Sequence, residues 1–453
     1  MGRGVVVLGL GVTGEAVVRR LRAAGDDVLV VEDRPGGAGY DERIAAVRAT
    51  GVEVVERPEP VALRGLLAGR DLLVPSPGVP EGHAVFAAAR DLGVDVRPEV
   101  ELAAERADAR GVALVGVTGT NGKTTVTTLL TAMLTASGID AVAAGNIGTP
   151  LIDAVETDAA VVVAELSSFQ LNFTSSRFRP RVALLLNLAH DHLDWHGSFE
   201  RYADAKARVF AHQRATDLLV SNADDPEVQA RAARAPGRHV AFSIAAHPGT
   251  VHERDGAIVD PEGVVLARLP ERALLRHDRA NSLAAAAAAF DVGAPRAGIE
   301  VALRDFERLP HRVALIGENC GVRYFDDSKA TNPHATLAAL QAFDEPVVLL
   351  AGGLNKDLDL SVLAGAAARV RAVVAIGTAA PDVERAFATT GREVVQAASM
   401  RAAVTTAARL ARPGDVVLLS PACASFDWYG SYAERGDDFA REVAQLVPQG
   451  AAS

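Results

Sequence analysis

Short apolar runs of strand length alternate with longer stretches of helical spacing along almost the whole chain. "VVVLGL", "LLVPSPGVP", "GVALVGVTG", "AAVVVAEL", "VALLLNL", "PVVLLAGG", "AVVAIG" and "DVVLLS" are the strand-like runs. Such alternation predicts βαβ units, largely parallel sheets and an α/β fold. Three series separate. The first occupies residues 1–102 and ends near "VRPEVELAAE". The second, 103–308, opens with "GVALVGVTG", passes through a turn-rich β portion ("AFSIAAHPGTVHERDGAIVDPEG") and closes after a helix near Asn281. The third, 309–453, begins near "LPHRVALIGENCGVRYFDDS". "AAAAAAF" (Ala284 to Phe290) reads as a packed helix, and the terminal "PQGAAS" reads as loose.

Composition narrows the classes. A chain of 453 residues exceeds one comfortable core, and 49% hydrophobic with 23% charged residues is globular. A formal charge of −11 argues against a nucleic-acid partner, whose footprint is a basic face. It leaves room for a small anionic ligand, since backbone N–H groups and a few lysines hold phosphate locally. Two cysteines, Cys320 and Cys423, are too few for a disulfide scaffold and fit a reducing cytoplasm. No run approaches the roughly 20 apolar residues of a membrane span. The glycine-broken N-terminal run lacks the basic region and cleavage site of a secretion signal.

Ligands of open α/β sheets sit at the carboxyl ends of strands, and two glycine loops lie there. The first, Gly9, Gly11 and Gly14, is spaced G-x-G-x-x-G, and the next apolar run ends in Glu32 and Asp33. Alone it predicts a bound diphosphate, with NAD as the familiar source. The second, "GVTGTNGKTTVTTLL" (Gly116 to Leu130), joins a strand to a helix. Gly119 and Gly122 free backbone N–H groups for phosphate oxygens, Lys123 neutralises β/γ charge, and the Thr124 hydroxyl suits Mg²⁺. The spacing departs from the strict phosphate-loop pattern, because Val117 stands five residues before Gly122.

The variant G-T-N-G-K-T resembles the ATP loop of the Mur ligases and folylpolyglutamate synthases. "ELSSFQL" (Glu165 to Leu171), "NLAHDHLDWHG" (Asn187 to Gly197), "DDSKATN" (Asp326 to Asn332), "AGGLNKD" (Ala351 to Asp357) and "LSPACASFDWYGSYAERGDDF" (Leu419 to Phe439) follow in order. Together they resemble the D-glutamate-adding branch of the Mur ligases across all three domains. That resemblance implies Rossmann-like first and third domains around a central phosphate-loop domain. The first glycine loop then receives the pyrophosphate of a UDP-sugar, not NAD. The implied reaction is ATP-dependent amide formation between UDP-N-acetylmuramoyl-L-alanine and D-glutamate through an acyl phosphate, with Mg²⁺, in a cytoplasmic and monomeric enzyme of peptidoglycan precursor synthesis. The alternatives are a sibling ligase for another amino acid, or an NAD-binding oxidoreductase fused to a phosphate-loop module.

Individual residues carry both readings. Glu165 ends a run apolar enough to be a buried strand, where an unpaired carboxylate is costly; a Mg²⁺ ion or an arginine removes the cost. Tyr202, Lys206, Val209 and Phe210 fall at i, i+4, i+7 and i+8, placing Lys206 on an apolar stripe, where a snorkelling lysine is the plain reading. The resemblance implies instead a carbamylated Lys206 that ligates Mg²⁺, with His192 (rather than His190), Glu165 and Thr124. It also implies that Gly119, Thr120, Asn121, Gly122, Lys123, Thr124, Thr125, Asn281, Arg312 and Asp327 hold the nucleotide. Thr13, Asp33, Arg34, Ser76, Gly78, Asn146 and Ser167 then meet the sugar nucleotide. Thr331, Lys356, Ser425, Phe426 and Tyr432 meet the amino acid, and Lys329 reaches toward the γ-phosphate. Tyr432 stands where relatives commonly carry phenylalanine, and Asn281 alone reads as a helix cap.

Overall fold

The computed structural model describes residues 2–36, 39–270 and 275–446, so "PQGAAS" lies outside the described residues. The first sheet is parallel. Across it the strands run Glu53–Glu56, Asp27–Glu32, Gly4–Leu8, Leu72–Pro75, Asp95–Val96. Val5 to Leu8 and Leu72 to Pro75 are buried on both faces, as parallel strands covered by helices must be. The order places a topological switch between Gly4–Leu8 and Leu72–Pro75, with both carboxyl ends opening into one crevice. The helix Val12–Ala23 enters that crevice closely: a Cβ at Gly14 would lie 2.1 Å from the Gly9 carbonyl oxygen.

The central sheet has six parallel strands in the order Arg238–Phe242, Leu218–Asn222, Val182–Leu185, Ala113–Thr118, Val161–Glu165, Ala141–Gly145. The turn-rich segment expected to be β-rich folds as a separate antiparallel sheet of His252–Arg254, Ala257–Val259 and Val265–Arg268. The alanine run lies within the helix Arg276–Val292. Ala284 to Ala289 are all buried, because small side chains let neighbouring elements approach on every side.

In the C-terminal sheet the order is Ala314–Asn319, Val322–Asp326, Val416–Ala422, Val347–Gly352, Val370–Ile376, Glu393–Ala397. All neighbours are parallel except the edge pair Ala314–Asn319 and Val322–Asp326, a hairpin turning through Cys320 and Gly321, both at positive φ.

The chain divides into two compact units. One comprises Met1–Leu188, Ala203–Arg272 and Ala280–Phe306; the other comprises Ala189–Tyr202, Ala273–Arg279 and Glu307–Ser453. Within the first unit, the N-terminal and central portions are joined by ion pairs and a ring stack. Arg20 Nε meets Asp153 Oδ1 at 2.6 Å, Arg106 pairs with Glu156, and the Phe86 and Phe173 rings stack at 4.8 Å. Glu99, buried, accepts from the Ile152 N–H at 2.6 Å. Burial pushes its carboxyl up to about 7, and backbone N–H donors only partly oppose this. Among the described residues no helix is long and apolar enough to cross a membrane.

Candidate active site

The strand Ala113–Thr118 delivers the second glycine loop to the helix Lys123–Ala136. Gly122 caps that helix at φ 84°, a conformation glycine adopts freely, and a Cβ there would sit 2.7 Å from Asn281 Oδ1. Asn281 is therefore packed on the loop from inside its helix, and the helix-cap reading does not hold. Lys123 Nζ folds back onto the carbonyls of Gly119 and Thr120, both at 2.8 Å. Thr124 and Thr125 are half-buried in the helix's first turn. A brace that sequence reasoning passed over holds the loop open. Asn187, just beyond the strand Val182–Leu185, accepts from the Asn121 N–H at 2.7 Å and donates back to its carbonyl at 3.0 Å. Its own carbonyl accepts from Thr120 N–H at 2.9 Å.

Glu165 ends its strand 2% exposed. Asn146 Nδ2 donates to its Oε1 at 2.8 Å, so Asn146 is placed beside this carboxylate rather than standing apart. Oε2 is buried and makes no hydrogen bond among the described residues. The buried Oε2 thus lacks the donor that would offset its burial among the described residues. Lys206, also 2% exposed, donates from Nζ to the Gly119 carbonyl at 2.9 Å. Its helix, Phe199–Ala207, stops short of Val209 and Phe210, yet all four residues of the stripe are buried. Lys206 is thus enclosed rather than snorkelling. Among the described residues no three His, Cys, Asp or Glu side chains gather as a metal cluster. The orphan Glu165 oxygen, the Thr124 hydroxyl and phosphate oxygens suit Mg²⁺, which takes few protein carboxylates. Ser167 closes a capping box with Gln170 at the start of the helix Ser168–Asn172.

In the crevice of the first sheet, the Ser76 hydroxyl donates to the Gly9 carbonyl at 3.1 Å, while Thr13 lies half-buried in the first helical turn. Gly78 and Arg34 are exposed. Glu32 spends both oxygens on backbone N–H groups, Leu10 at 2.6 Å and Arg34 at 2.8 Å. Of the two acids at this strand end, Glu32 is therefore turned to the backbone. Asp33 lies beside His83.

The second unit holds the remaining residues. His192, at φ 52°, starts the short helix Leu193–His196 and accompanies Asp191, whose Oδ2 accepts from Asn332 Nδ2 at 3.1 Å. His190 is exposed against Phe199. Lys329 Nζ lies 3.8 Å from the Tyr432 ring centroid, a cation–π contact, and Lys356 Nζ lies 5.4 Å from that of Phe426. Tyr432 thus presents a ring face to a lysine, as phenylalanine would. Ser425 is buried, Thr331 half-buried and Phe426 exposed. Asp327 accepts from Ser420 Oγ at 2.8 Å; burial pushes its carboxyl up to about 7 against that bond and nearby Arg312. His311 Nδ1 meets Asp326 Oδ2 at 2.6 Å.

The residue least visible in advance is Arg435, 1% exposed. It donates to Ser328 Oγ (3.0 Å), Ser328 O (2.8 Å), Cys423 O (3.1 Å) and Ala424 O (3.2 Å). One guanidinium thereby fastens the loop of Lys329 and Thr331 to the loop of Ser425 and Phe426. Burial pushes its pKa down to about 10, leaving it charged near neutrality. Its only signal was position, inside "YAERGDDF". The Cys423 thiol is pushed up to about 12 by burial and is no nucleophile.

With this geometry in place, known proteins give the lineage. Residues 3–97 match the family description "Mur ligase MurD-like, N-terminal domain", 117–289 "Mur ligase middle domain", and 311–423 "Mur ligase, glutamate ligase domain". A UDP-N-acetylmuramoylalanine--D-glutamate ligase of Thermobifida fusca is 43% identical, covering 98% of this chain and 99% of its own. The chain belongs to the Mur ligase family. As a Mur ligase it is an ATP-dependent carbon–nitrogen ligase. A protein of the same name from Frankia casuarinae is 44% identical, covering 97% of this chain and 93% of its own. Among solved structures, a UDP-N-acetylmuramate-alanine ligase of Thermotoga maritima matches with TM-score 0.59 and 20% identity, covering 98% and 99% of the two chains. A MurF ligase of Thermotoga maritima, in complex with ADP, matches with TM-score 0.60 and 16% identity over 98% and 96%. At that identity the likeness speaks for the three-domain α/β fold alone.

Proposed function

We propose that this Mur ligase joins D-glutamate to UDP-N-acetylmuramoyl-L-alanine, converting ATP to ADP and phosphate. The observation that carries the reading is the end-to-end match with D-glutamate ligases such as that of Thermobifida fusca. The substrate carboxylate attacks the γ-phosphorus, the bond to ADP breaks, and an acyl phosphate forms. The amine of D-glutamate then attacks the acyl carbon through a tetrahedral intermediate, and phosphate leaves. Both steps bring anions together, so fixed cations and oriented donors lower the barrier.

In this reading the N–H groups of Gly119 to Thr125 cradle the phosphates, and Lys123 exchanges its loop carbonyls for β/γ oxygens. Asn281, Arg312 and Asp327 orient the nucleoside. Glu165, Thr124, His192 and a carbamylated Lys206 would hold Mg²⁺, which supplies charge neutralisation at the phosphate oxygens. Carbamylation fits a lysine that is enclosed rather than solvated. Thr13, Asp33, Arg34, Ser76, Gly78, Asn146 and Ser167 receive the sugar nucleotide. Thr331, Lys356, Ser425, Phe426 and Tyr432 bind the two carboxylates and carbon chain of glutamate, with Lys329 between them and the transferred phosphoryl group. We assign these tasks to domains spanning 1–102, 103–308 and 309–453, in a cytoplasmic monomer.

The test supplies UDP-N-acetylmuramoyl-L-alanine and ATP and compares D-glutamate, L-glutamate, meso-diaminopimelate and lysine for phosphate release. D-glutamate alone should drive turnover. Release that ignores the acceptor amine, or prefers a diamino acid, overturns the assignment.

A further inference from the structure

Two loops flank the glycine loop of the first sheet, because the strands Asp27–Glu32 and Leu72–Pro75 pair on either side of Gly4–Leu8. One loop carries Asp33, and the other runs from Ser76 to His83. A side-chain pair joins them over the crevice: His83 Nε2 lies 2.8 Å from Asp33 Oδ2, with the two side chains 24% and 28% exposed. The other imidazole nitrogen has a separate task. Nδ1 accepts from the Val85 N–H at 3.2 Å, making His83 the cap of the helix Ala84–Leu92. A nitrogen that accepts carries no proton, so the cap places the ring N–H on Nε2, facing Asp33. Glu32, one residue earlier, is consumed by the Leu10 and Arg34 N–H groups. Asp33 is thus the acid at this strand end with an oxygen left for a ligand.

We propose that His83 is a positioning residue for the uridine end of the sugar nucleotide. It pins one oxygen of Asp33 so that the other meets the imide N–H of the uracil ring. The inference rests on the reading that the first domain holds the UDP-sugar. A pinned carboxylate loses no rotamer freedom on binding, so the contact is stronger than the same aspartate left free. It also selects: cytosine offers a lone pair at that ring nitrogen, which a fixed carboxylate repels.

Two near-isosteres separate the roles. His83→Asn keeps an acceptor at the position of Nδ1, preserving the cap, but nothing reaches Asp33. His83→Gln sets an amide N–H near the position of Nε2, preserving the hold, but gives up the cap. Titration calorimetry of the full chain uses UDP-N-acetylmuramoyl-L-alanine, UDP and CDP as probes. Initial rates and unfolding midpoints accompany it. The Asn variant should keep the midpoint and lose about tenfold in affinity and KM for the uridine substrate. Its preference for UDP over CDP should narrow, while kcat and the KM values for ATP and D-glutamate stay put. The Gln variant should show the converse, a lower midpoint with affinity largely kept. An Asn variant that binds like the parent overturns the proposal alone, as does affinity that simply tracks the midpoint in both variants. A parent chain that binds no uridine nucleotide overturns the domain reading and the proposal together.

Discussion

Replacing Arg435 by lysine tests whether one buried cation organises the proposed amino-acid end of the site. The parent side chain reaches four acceptors on two loops at 2.8–3.2 Å. A lysine keeps the charge but not the planar fork, and from the same Cα its single nitrogen meets about two of them. Each buried acceptor left without a donor costs about 1–3 kcal/mol. Two orphaned acceptors therefore destabilise this unit by about 2–6 kcal/mol, or roughly 4–24 °C in its midpoint. The effect on function is separate. Once the Ser328 and Cys423–Ala424 segments are no longer fastened together, Lys329, Thr331, Ser425 and Phe426 lose their mutual alignment. KM for D-glutamate should rise about tenfold or more while KM for ATP changes little, since a misplacement near 1 Å is worth up to about 100-fold. Calorimetric scans and initial rates against each substrate provide the readout. A lysine variant with the parent midpoint and an unchanged KM for D-glutamate would show that the guanidinium contacts organise nothing.

Other predictions touch separate parts of the molecule. Lys206→Ala should lose activity, with short exogenous carboxylates restoring part of it; a fully active variant ends the carbamate idea. Glu165→Gln keeps an acceptor for Asn146 and removes the charge at the orphan oxygen, so turnover should fall about 100-fold with little change in midpoint; near-parental turnover sinks the cation role. Gly14→Ala drives a methyl to 2.1 Å from the Gly9 carbonyl, so sugar-nucleotide binding should collapse while nucleotide binding at the second loop survives in any folded protein. Glu99 has a folded pKa raised to about 7 from 4.5, so its favourable contribution is complete below about pH 4.5 and lost as pH rises toward and past 7. Glu99→Gln should then stabilise the protein at pH 8 by up to about 3 kcal/mol and leave it unchanged near pH 4; an equal shift at both pH values contradicts the assignment.

The sequence made the framework legible wherever one residue type had one physical use. Runs such as "VVVL" and "VVVAE" are buried on both faces of parallel sheets and fit little else, and the two glycine loops stand at strand ends because only glycine tolerates those approaches. The antiparallel edge strand Ala314–Asn319 was less visible: its mixed "ALIGEN" pattern gives no strong period. Long-range polar pairings were hidden altogether. Asn187, Arg435 and His83 each act on residues distant in the chain, and their side chains look like ordinary loop or helix polarity until the fold brings the partners together. Glu32 and Asp33 show the limit at single-residue scale. Glu32 closes its strand and turns to backbone N–H groups, while Asp33, in the bend just beyond, meets a histidine, a division that composition and spacing leave open.

The Gly119 carbonyl, shared by Lys123 and Lys206, sets the terms on which nucleotide is welcomed. In the proposed reading the Lys123 ammonium already has a resting place on the loop before any triphosphate arrives, so occupancy swaps bonds instead of creating them. Affinity then records a difference between two satisfied arrangements and understates how firmly the phosphates are gripped. The worth of Lys123 then surfaces in the rate of bond making, where charge shifts and the resting place can no longer compete.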